Sequence, residues 1–133
     1  MSIGSLWRKW DLHVHTPASY EQSFKFTSEE EREKFGGDLW EKYVEELEKI
    51  KDISVIGVTD YFSIEGYKKL VKYKQEGKLK NIDLLLPNIE FRVNLITNKN
   101  NRLNLHVIFS NDISIDDIDE FLNRVKFIIS EPD

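Results

Sequence analysis

The sequence contains no cysteine among its 133 residues. This absence excludes disulfide bonds, thiolate nucleophiles and zinc sites built from cysteine. No apolar run approaches the length that spans a membrane, and the early segment Trp7-Arg8-Lys9-Trp10 does not resemble a secretion signal. We therefore expect a cytoplasmic protein without a membrane partner, although a lack of cysteine is compatible with any compartment.

The sequence also lacks an excess of positive charge, since its formal net charge is −5. An acidic protein is poorly suited to general attraction of a phosphate backbone. A nuclease is still compatible with this charge, because bound metal ions supply positive charge locally. The length allows one domain with a real core, and the 40% of hydrophobic and 32% of charged residues are ordinary for a globular protein.

Short apolar stretches alternate with amphipathic ones along the chain. We predict four strands, at residues 10–16, 55–60, 82–91 and 103–109. Periodicity and capping signals predict helices between them: a short one after Ser28, one from Asp38 to Ile50, one from Ser63 to Gly77, and one from Ser114 onwards. The order of these elements predicts an α/β architecture with a largely parallel sheet.

The segment Trp10-Asp11-Leu12-His13-Val14-His15-Thr16-Pro17 carries the first chemical signal. Side chains alternate between the two faces of a strand, so Asp11, His13 and His15 are predicted to share one face. Neutral imidazole is the commonest nitrogen ligand of divalent metals, and Asp11 is expected to orient a ring by a hydrogen bond. The alternative is that both histidines are ordinary polar residues at the end of a strand.

Each of the other predicted strands also carries a residue type that binds metals. Asp60 ends the second strand, Glu90 lies near the end of the third, and His106 lies in the fourth. Nitrogen and oxygen ligands without sulfur suit Zn²⁺, Mn²⁺ or Fe²⁺. A carboxylate such as Glu90 could bridge two ions, and a pair of ions suits the hydrolysis of phosphate esters.

Asp60 and Arg92 are the candidate catalytic residues. Arg92 lies two residues after Glu90, so it shares a strand face with Glu90 and is a candidate contact for a phosphate group. The alternative for Arg92 is an ordinary surface arginine. The alternative for Asp60 is a carboxylate that caps the next helix or orients a ligand.

Four motifs in succession, Asp-Leu-His-Val-His-Thr, Val-Ile-Gly-Val-Thr-Asp, Leu-Leu-Pro-Asn-Ile-Glu and Leu-His-Val-Ile, resemble those of the PHP (polymerase and histidinol phosphatase) family. The resemblance implies a distorted seven-stranded β/α barrel that hydrolyses phosphomonoesters or phosphodiesters with up to three metal ions. It implies that His13 and His15 hold one ion, that Glu90 bridges, and that His106 serves a second ion. The beginning of the chain and its Thr-Asp-Tyr sequence most resemble a subgroup whose PHP domain precedes an SMC-like or ABC-type ATPase.

Three features depart from the family pattern. Tyr61 follows Asp60 where the family commonly has histidine, and Glu21 stands where a further histidine is often found. Both Tyr61 and Glu21 could be oxygen ligands. The alternative is that Tyr61 is a phenol in the wall of the pocket and Glu21 an ordinary loop carboxylate. The chain also stops before the strands that supply another histidine and a final Asp-x-His pair. A closed β/α barrel typically takes about 250 residues, so residues 1–133 are expected to form a single, incomplete PHP-like domain.

Two functions are compatible with these signals. The first is a metal-dependent phosphoesterase, with a nucleic acid as one candidate substrate and with the metal ligands His13, His15, Glu90, His106, Asp60 and Glu21. The second is a catalytically incomplete metal-binding or structural module within a larger, ATPase-linked protein or complex. In either case an ATPase domain or a second copy of the chain could complete the barrel.

Overall fold

The computed structural model describes residues 7–19, 23–93 and 103–129. The elements within these ranges are β1 (Trp10–His15), α1 (Glu29–Lys34), α2 (Leu39–Glu48), β2 (Val55–Tyr61), α3 (Glu65–Gln75), β3 (Leu84–Val93), β4 (Leu103–Ile108) and α4 (Ile115–Ile129). The predicted order of strands and helices is confirmed, and so is the α/β class. Within the described ranges, no helix is long and apolar enough to cross a membrane.

The four strands form one sheet in the order β1-β2-β3-β4. β1 pairs with β2 and β2 with β3 in parallel, whereas β4 runs antiparallel to β3. Parallel neighbours need a crossover connection, which α2 and α3 provide, while antiparallel neighbours need none. The result is a mostly parallel, curled sheet with the form of half a barrel and with flanking helices.

The core lies where the helices pack on the sheet. Ile56 and Val58 of β2 and Ile89 of β3 belong to the same buried cluster as Leu70 of α3 and Ile118 of α4. Each fully buried aliphatic side chain of this kind contributes about 1.5 to 3 kcal/mol relative to its exposed state. The predicted amphipathic stripes therefore attach the helices to the sheet.

Polar side chains fix the starts of the first two helices. Ser28 Oγ accepts a hydrogen bond from the Glu31 backbone N–H at 3.1 Å, as the predicted capping box requires. The Glu31 carboxylate, however, accepts from the backbone N–H of Thr27 at 2.6 Å, one residue earlier than in the standard box. Asp38 Oδ1 caps α2 by accepting from the Trp40 N–H at 2.9 Å.

The ends of α3 also follow local signals in the sequence. Ser63 Oγ accepts from the Glu65 N–H at 3.1 Å, although the residue in the N-cap position is Ile64. Gly77 follows the helix with a φ of 94°, a left-handed conformation that glycine adopts without a steric penalty. The predicted stop at Gly77 is therefore confirmed.

β1 contains an irregularity that the sequence does not predict. Asp11 lies opposite Ile56, but Val14 lies opposite Val58, so β1 has one more residue than β2 over this stretch. Such a bulge changes which face the following side chains occupy. His15 lies opposite Thr59, and Ile56 and Thr59 point to opposite faces of β2. The prediction that Asp11 shares a face with His15 is therefore wrong.

The bulge is held by contacts between the three parallel strands. Asn88 Nδ2 donates to the Leu12 carbonyl oxygen at 2.7 Å, and Thr59 Oγ1 lies 3.2 Å from the same oxygen. A Cβ atom added to Gly57 would lie 2.3 Å from that oxygen. Glycine is therefore needed at position 57 because the Leu12 carbonyl occupies the space of a side chain.

The outer strands of the described sheet expose apolar side chains. Leu103 and Leu105 of β4 and Trp10 of β1 are each at least half exposed. β1 and β4 are the two edges of the described sheet. Exposed apolar side chains on open edges are a liability for association.

Candidate metal centre

Three side chains converge at the carboxyl ends of β1 and β3. His13 Nε2 lies 3.0 Å from His15 Nε2, and Glu90 Oε2 lies 3.2 Å from the former and 3.3 Å from the latter. The three atoms thus form a nearly equilateral triangle. The carboxyl ends of parallel strands lie at the same end of a sheet, and α/β proteins assemble their sites at this end.

The spacing of this triangle fits a divalent metal ion. Bond lengths of about 2.0 to 2.2 Å set neighbouring ligands about 3.3 to 3.6 Å apart in a tetrahedral site and about 2.8 to 3.1 Å apart in an octahedral site. The three observed distances, 3.0, 3.2 and 3.3 Å, lie within or between these intervals. The group formed by His13, His15 and Glu90 could therefore hold a metal ion, and its spacing is compatible with both tetrahedral and octahedral coordination.

The electrostatics of the three atoms also favour a cation. An imidazole nitrogen without hydrogen carries a lone pair, and an ionised carboxylate carries negative charge. Three such atoms repel one another unless a cation or a proton lies among them. The His13 side chain is 52% exposed and that of Glu90 only 1%, so the group has a buried anion on one side and access from solvent on the other.

The Glu90 carboxylate faces the imidazole groups of His13, His15 and His106. Its register partner across the antiparallel pair is His106, whose Nε2 lies 3.7 Å from Glu90 Oε1. The same oxygen accepts a hydrogen bond from Asn104 Nδ2 at 2.9 Å. One carboxylate oxygen therefore faces His13 and His15, and the other faces His106.

The ring of His15 is oriented by its neighbours in the fold. His15 Nδ1 lies 3.1 Å from Ser19 Oγ, and the His15 carbonyl accepts from the Tyr43 hydroxyl at 2.6 Å. A hydrogen on Nδ1 leaves the lone pair on Nε2, which faces the cluster. Burial raises the pKa of Tyr43, and the charges of Asp60 and Asp11 raise it further, so the phenol keeps the hydrogen that it donates.

Asp11 does not orient an imidazole ring as expected. Its Oδ1 accepts from the backbone N–H of His13 at 3.1 Å, within the bulge of β1. The carboxylate therefore stabilises the local backbone from which His13 projects, and the ring orientation depends on other residues.

The structure does not bring Asp60 into the group formed by His13, His15 and Glu90. Asp60 lies opposite Ile89 whereas Tyr61 lies opposite Glu90, so Asp60 and Glu90 point to opposite faces of the sheet. Asp60 Oδ1 accepts from the backbone N–H of Thr16 at 3.2 Å and from its hydroxyl at 3.0 Å.

The surroundings of Asp60 are those of a structural carboxylate. Asp60 also accepts from the backbone N–H of Gly66 in the first turn of α3, and burial raises its pKa. A Cβ atom on Gly66 would lie 2.1 Å from Asp60 Oδ2 and 2.2 Å from Thr16 Oγ1. This geometry matches the alternative in which Asp60 anchors the next helix, and it also ties the residue after His15 to α3.

Tyr61 and Arg92 extend the site along the inner face of the sheet. The Tyr61 ring stacks on the His15 ring with centroids 5.1 Å apart and an interplanar angle of 23°. The guanidinium carbon of Arg92 lies 4.7 Å from the Tyr61 centroid. His15, Tyr61 and Arg92 therefore form a continuous stack, which places a cationic group two rings away from the candidate metal centre.

Sequence reasoning missed the amide side chains that surround the group. Asn88 lies two residues before Glu90, and Asn104 lies two residues before His106, so each shares a strand face with a candidate ligand. The two-residue spacing from each asparagine to a candidate ligand could have revealed these amides in the sequence. Glu21, a predicted ligand, lies outside the described residues.

None of the protein-family models, curated proteins or solved structures compared with the chain matches it. Interpretation of the site therefore depends on the arrangement of its side chains. The contacts among His13, His15, Glu90 and His106 are the observations that bear on function most directly.

Proposed function

We propose that the chain is part of a PHP-type, metal-dependent phosphoesterase that hydrolyses a phosphomonoester or a phosphodiester. The convergence of His13, His15 and Glu90 carries this proposal, because three electron-rich atoms lie about as far apart as ligands of one divalent ion. Zn²⁺, Mn²⁺ and Fe²⁺ all accept such a mixture of nitrogen and oxygen ligands.

In this proposal His13 and His15 would hold one ion, Glu90 would bridge it to a second ion, and His106 would bind the second ion. The placement of the Glu90 carboxylate supports the assignment, since its two oxygens face different histidines. Its nearly complete burial holds the negative charge at one place between the histidines. A divalent ion bound there would supply Lewis-acid activation of water and of a phosphoryl oxygen.

Arg92 is the proposed contact for the phosphate group of the substrate. Its guanidinium packs against Tyr61, which in turn stacks on His15, so the ring of Tyr61 lies between the cation and the nearest ring of a proposed ligand. Guanidinium groups bind phosphate oxygens through two parallel hydrogen bonds. Arg92 would orient the ester without being a metal ligand.

A metal-binding module without catalytic activity is the second candidate function. Tyr61 favours it, because the phenol stands where the family commonly has histidine, and its ring is occupied in the stack with His15 and Arg92. In this case the chain would act within a larger protein or complex. An ATPase domain or a second copy would then cover the open edges of the sheet.

Metal analysis followed by activity assays tests both candidates. We expect near-stoichiometric Zn, Mn or Fe in protein purified without chelator, and loss of that metal in the double variant His13→Ala/His15→Ala. Glu48→Gln, a change at an exposed carboxylate of α2, is the control that keeps the metal.

Hydrolysis of phosphomonoesters, phosphodiesters or nucleic acids by the metal-loaded chain supports the phosphoesterase. Bound metal without hydrolysis of any of these supports the module. A well-folded chain that takes up no metal, even after reconstitution, would overturn both.

A further inference from the structure

Asn88 is a buried amide at the junction of three strands. It lies on β3 and is 2% exposed. Its Nδ2 donates to the Leu12 carbonyl of β1 at 2.7 Å and to Thr59 Oγ1 of β2 at 3.0 Å. Its Oδ1 lies 3.2 Å from Nδ1 of His106 on β4. Asn88 thus connects β1, β2 and β4 through a single side chain.

The contacts of Asn88 allow one orientation of its amide. A flipped amide would place Oδ1 against the Leu12 carbonyl oxygen, and two acceptors at 2.7 Å repel each other. The oxygen therefore faces His106. The Thr59 hydroxyl can accept from Asn88 Nδ2, because its own hydrogen is directed to a backbone carbonyl of Leu12 or Gly57.

This orientation determines which nitrogen of His106 carries hydrogen. Asn88 Oδ1 can only accept, so His106 Nδ1 must donate to it across 3.2 Å. In the neutral ring the lone pair then lies on Nε2, and Nε2 is the nitrogen that faces Glu90 Oε1 at 3.7 Å. Without Asn88, the Glu90 carboxylate would favour the opposite tautomer by accepting a hydrogen from Nε2.

We infer that Asn88 is a positioning residue whose amide keeps the hydrogen of His106 on Nδ1 and the lone pair of His106 directed towards Glu90. The consequence of this role for metal binding rests on the proposed metal site. There Asn88 makes His106 available as a ligand for the second ion, and the same amide supports the β1 bulge that contains His13. One side chain therefore supports the ligands of both proposed ions.

The first test measures the His106 tautomer in metal-free protein by ¹⁵N NMR of the imidazole rings, with His106→Gln to identify its signals. We expect hydrogen on Nδ1 in the wild type at a pH where the ring is neutral. Asn88→Leu should move the hydrogen to Nε2, because leucine offers no acceptor to Nδ1 and Glu90 Oε1 then accepts from Nε2. Hydrogen on Nε2 in the wild type overturns the inference, even if Asn88→Leu does not fold.

The second test measures metal binding by calorimetric titration with Mn²⁺ or Zn²⁺. We expect Asn88→Leu to weaken the binding of the second ion by about 10- to 100-fold. The binding of the first ion should weaken less, because it depends on Asn88 only through the backbone of the β1 bulge. Asn81→Leu is the matched control, since Asn81 Nδ2 also bridges two carbonyls, of Leu47 and Ile50, but contacts no candidate ligand.

The outcomes separate the positioning role from the proposed function. Equal binding of two ions by the wild type and Asn88→Leu overturns the role of Asn88 and leaves the phosphoesterase proposal intact. A wild type that binds one ion, unaffected by Asn88→Leu, overturns the role at the second ion. A wild type that binds none overturns the proposed function, while the NMR result still decides whether Asn88 sets the tautomer.

Discussion

Asp60 and Glu90 are both carboxylates near the ends of neighbouring parallel strands, and both are only 1% exposed. Their partners differ in kind. Asp60 accepts from the Thr16 amide and hydroxyl and from the Gly66 amide, all of which are hydrogen-bond donors. The Glu90 carboxylate accepts a hydrogen bond from the Asn104 amide, and its other partners are imidazole nitrogens, which donate or accept according to their tautomer.

This difference shows why burial alone does not identify a functional carboxylate. A buried carboxylate whose partners are all donors is satisfied within the protein, and its role is to hold the chain together. A buried carboxylate that faces lone pairs needs a cation or protons to be stable. The kind of hydrogen-bond partner therefore distinguishes a structural carboxylate such as Asp60 from a candidate ligand such as Glu90. Substitutions at these two residues and at their partners test this distinction.

The largest expected effect comes from Glu90→Gln. We expect metal affinity to fall by more than about 100-fold, because the variant removes the negative charge from the candidate centre. The metal-free protein should be as stable as the wild type or more stable, since an amide can donate to the imidazole nitrogens that lie 3.2 and 3.3 Å from Oε2. Calorimetric titration and urea unfolding measure the two effects, with Glu48→Gln as the control. A clear loss of metal-free stability together with unchanged metal affinity would make Glu90 a structural residue.

Asp60→Ala should have the opposite pattern. It leaves the donors of Thr16 and Gly66 unsatisfied in a buried place, so we expect the free energy of unfolding to fall by about 2 to 4 kcal/mol. Metal affinity, measured on the folded fraction, should change less than in Glu90→Gln. Asp112→Ala, a change at an exposed aspartate, is the stability control. If Asp60→Ala abolished metal binding in a stable protein, Asp60 would be a ligand and the comparison would fail.

A smaller effect is expected from Ser19→Ala. Ser19 Oγ lies 3.1 Å from His15 Nδ1, and loss of a group that orients a ligating histidine typically costs about 10-fold in metal affinity. Ser110→Ala removes an exposed hydroxyl in the turn after β4 and should not change metal binding. Equal titration curves for Ser19→Ala and the wild type would show that Ser19 does not orient His15.

The existence and order of the strands could be predicted from the sequence because they depend on local signals. Apolar runs mark the strands, and glycine and serine mark helix ends such as Gly77 and Ser28. The candidate ligands His13, His15, Glu90 and His106 could be listed for the same reason, since each belongs to a predicted strand.

The faces on which side chains lie could not all be predicted. Asp60 and Tyr61 are adjacent, so only one of them can share a face with Glu90, and the pairing of β2 with β3 decides which. The bulge that separates Asp11 from the histidines depends on Gly57 and Asn88, which are distant in sequence. Both features arise from register between strands, and one sequence contains little information about register.

The smallest expected effect concerns the pH dependence of stability. Burial raises the pKa of Asp60 above its ordinary value of 3.8, so the folded protein binds this proton more tightly than the unfolded chain. The contribution of Asp60 to stability is therefore fully present below about pH 3.8 and is lost as the pH rises through the raised pKa. The variant Asp60→Asn cannot ionise, so the stability of the wild type relative to this variant should decrease from pH 3.5 to pH 7, as measured by urea unfolding.

Glu31 provides the opposite sign within the same protein. Hydrogen bonds from the Thr27 N–H and from Lys42 lower its pKa to about 2, so its contribution is present above its ordinary pKa of 4.5 and is lost as the pH falls towards 2. The stability of the wild type relative to Glu31→Gln should therefore increase from pH 2 to pH 5. If the stability of the wild type relative to Asp60→Asn also increased with pH, hydrogen bonds would outweigh burial at Asp60. Its ionised form would then be stabilised by hydrogen bonds, as that of the partly buried Glu31 is.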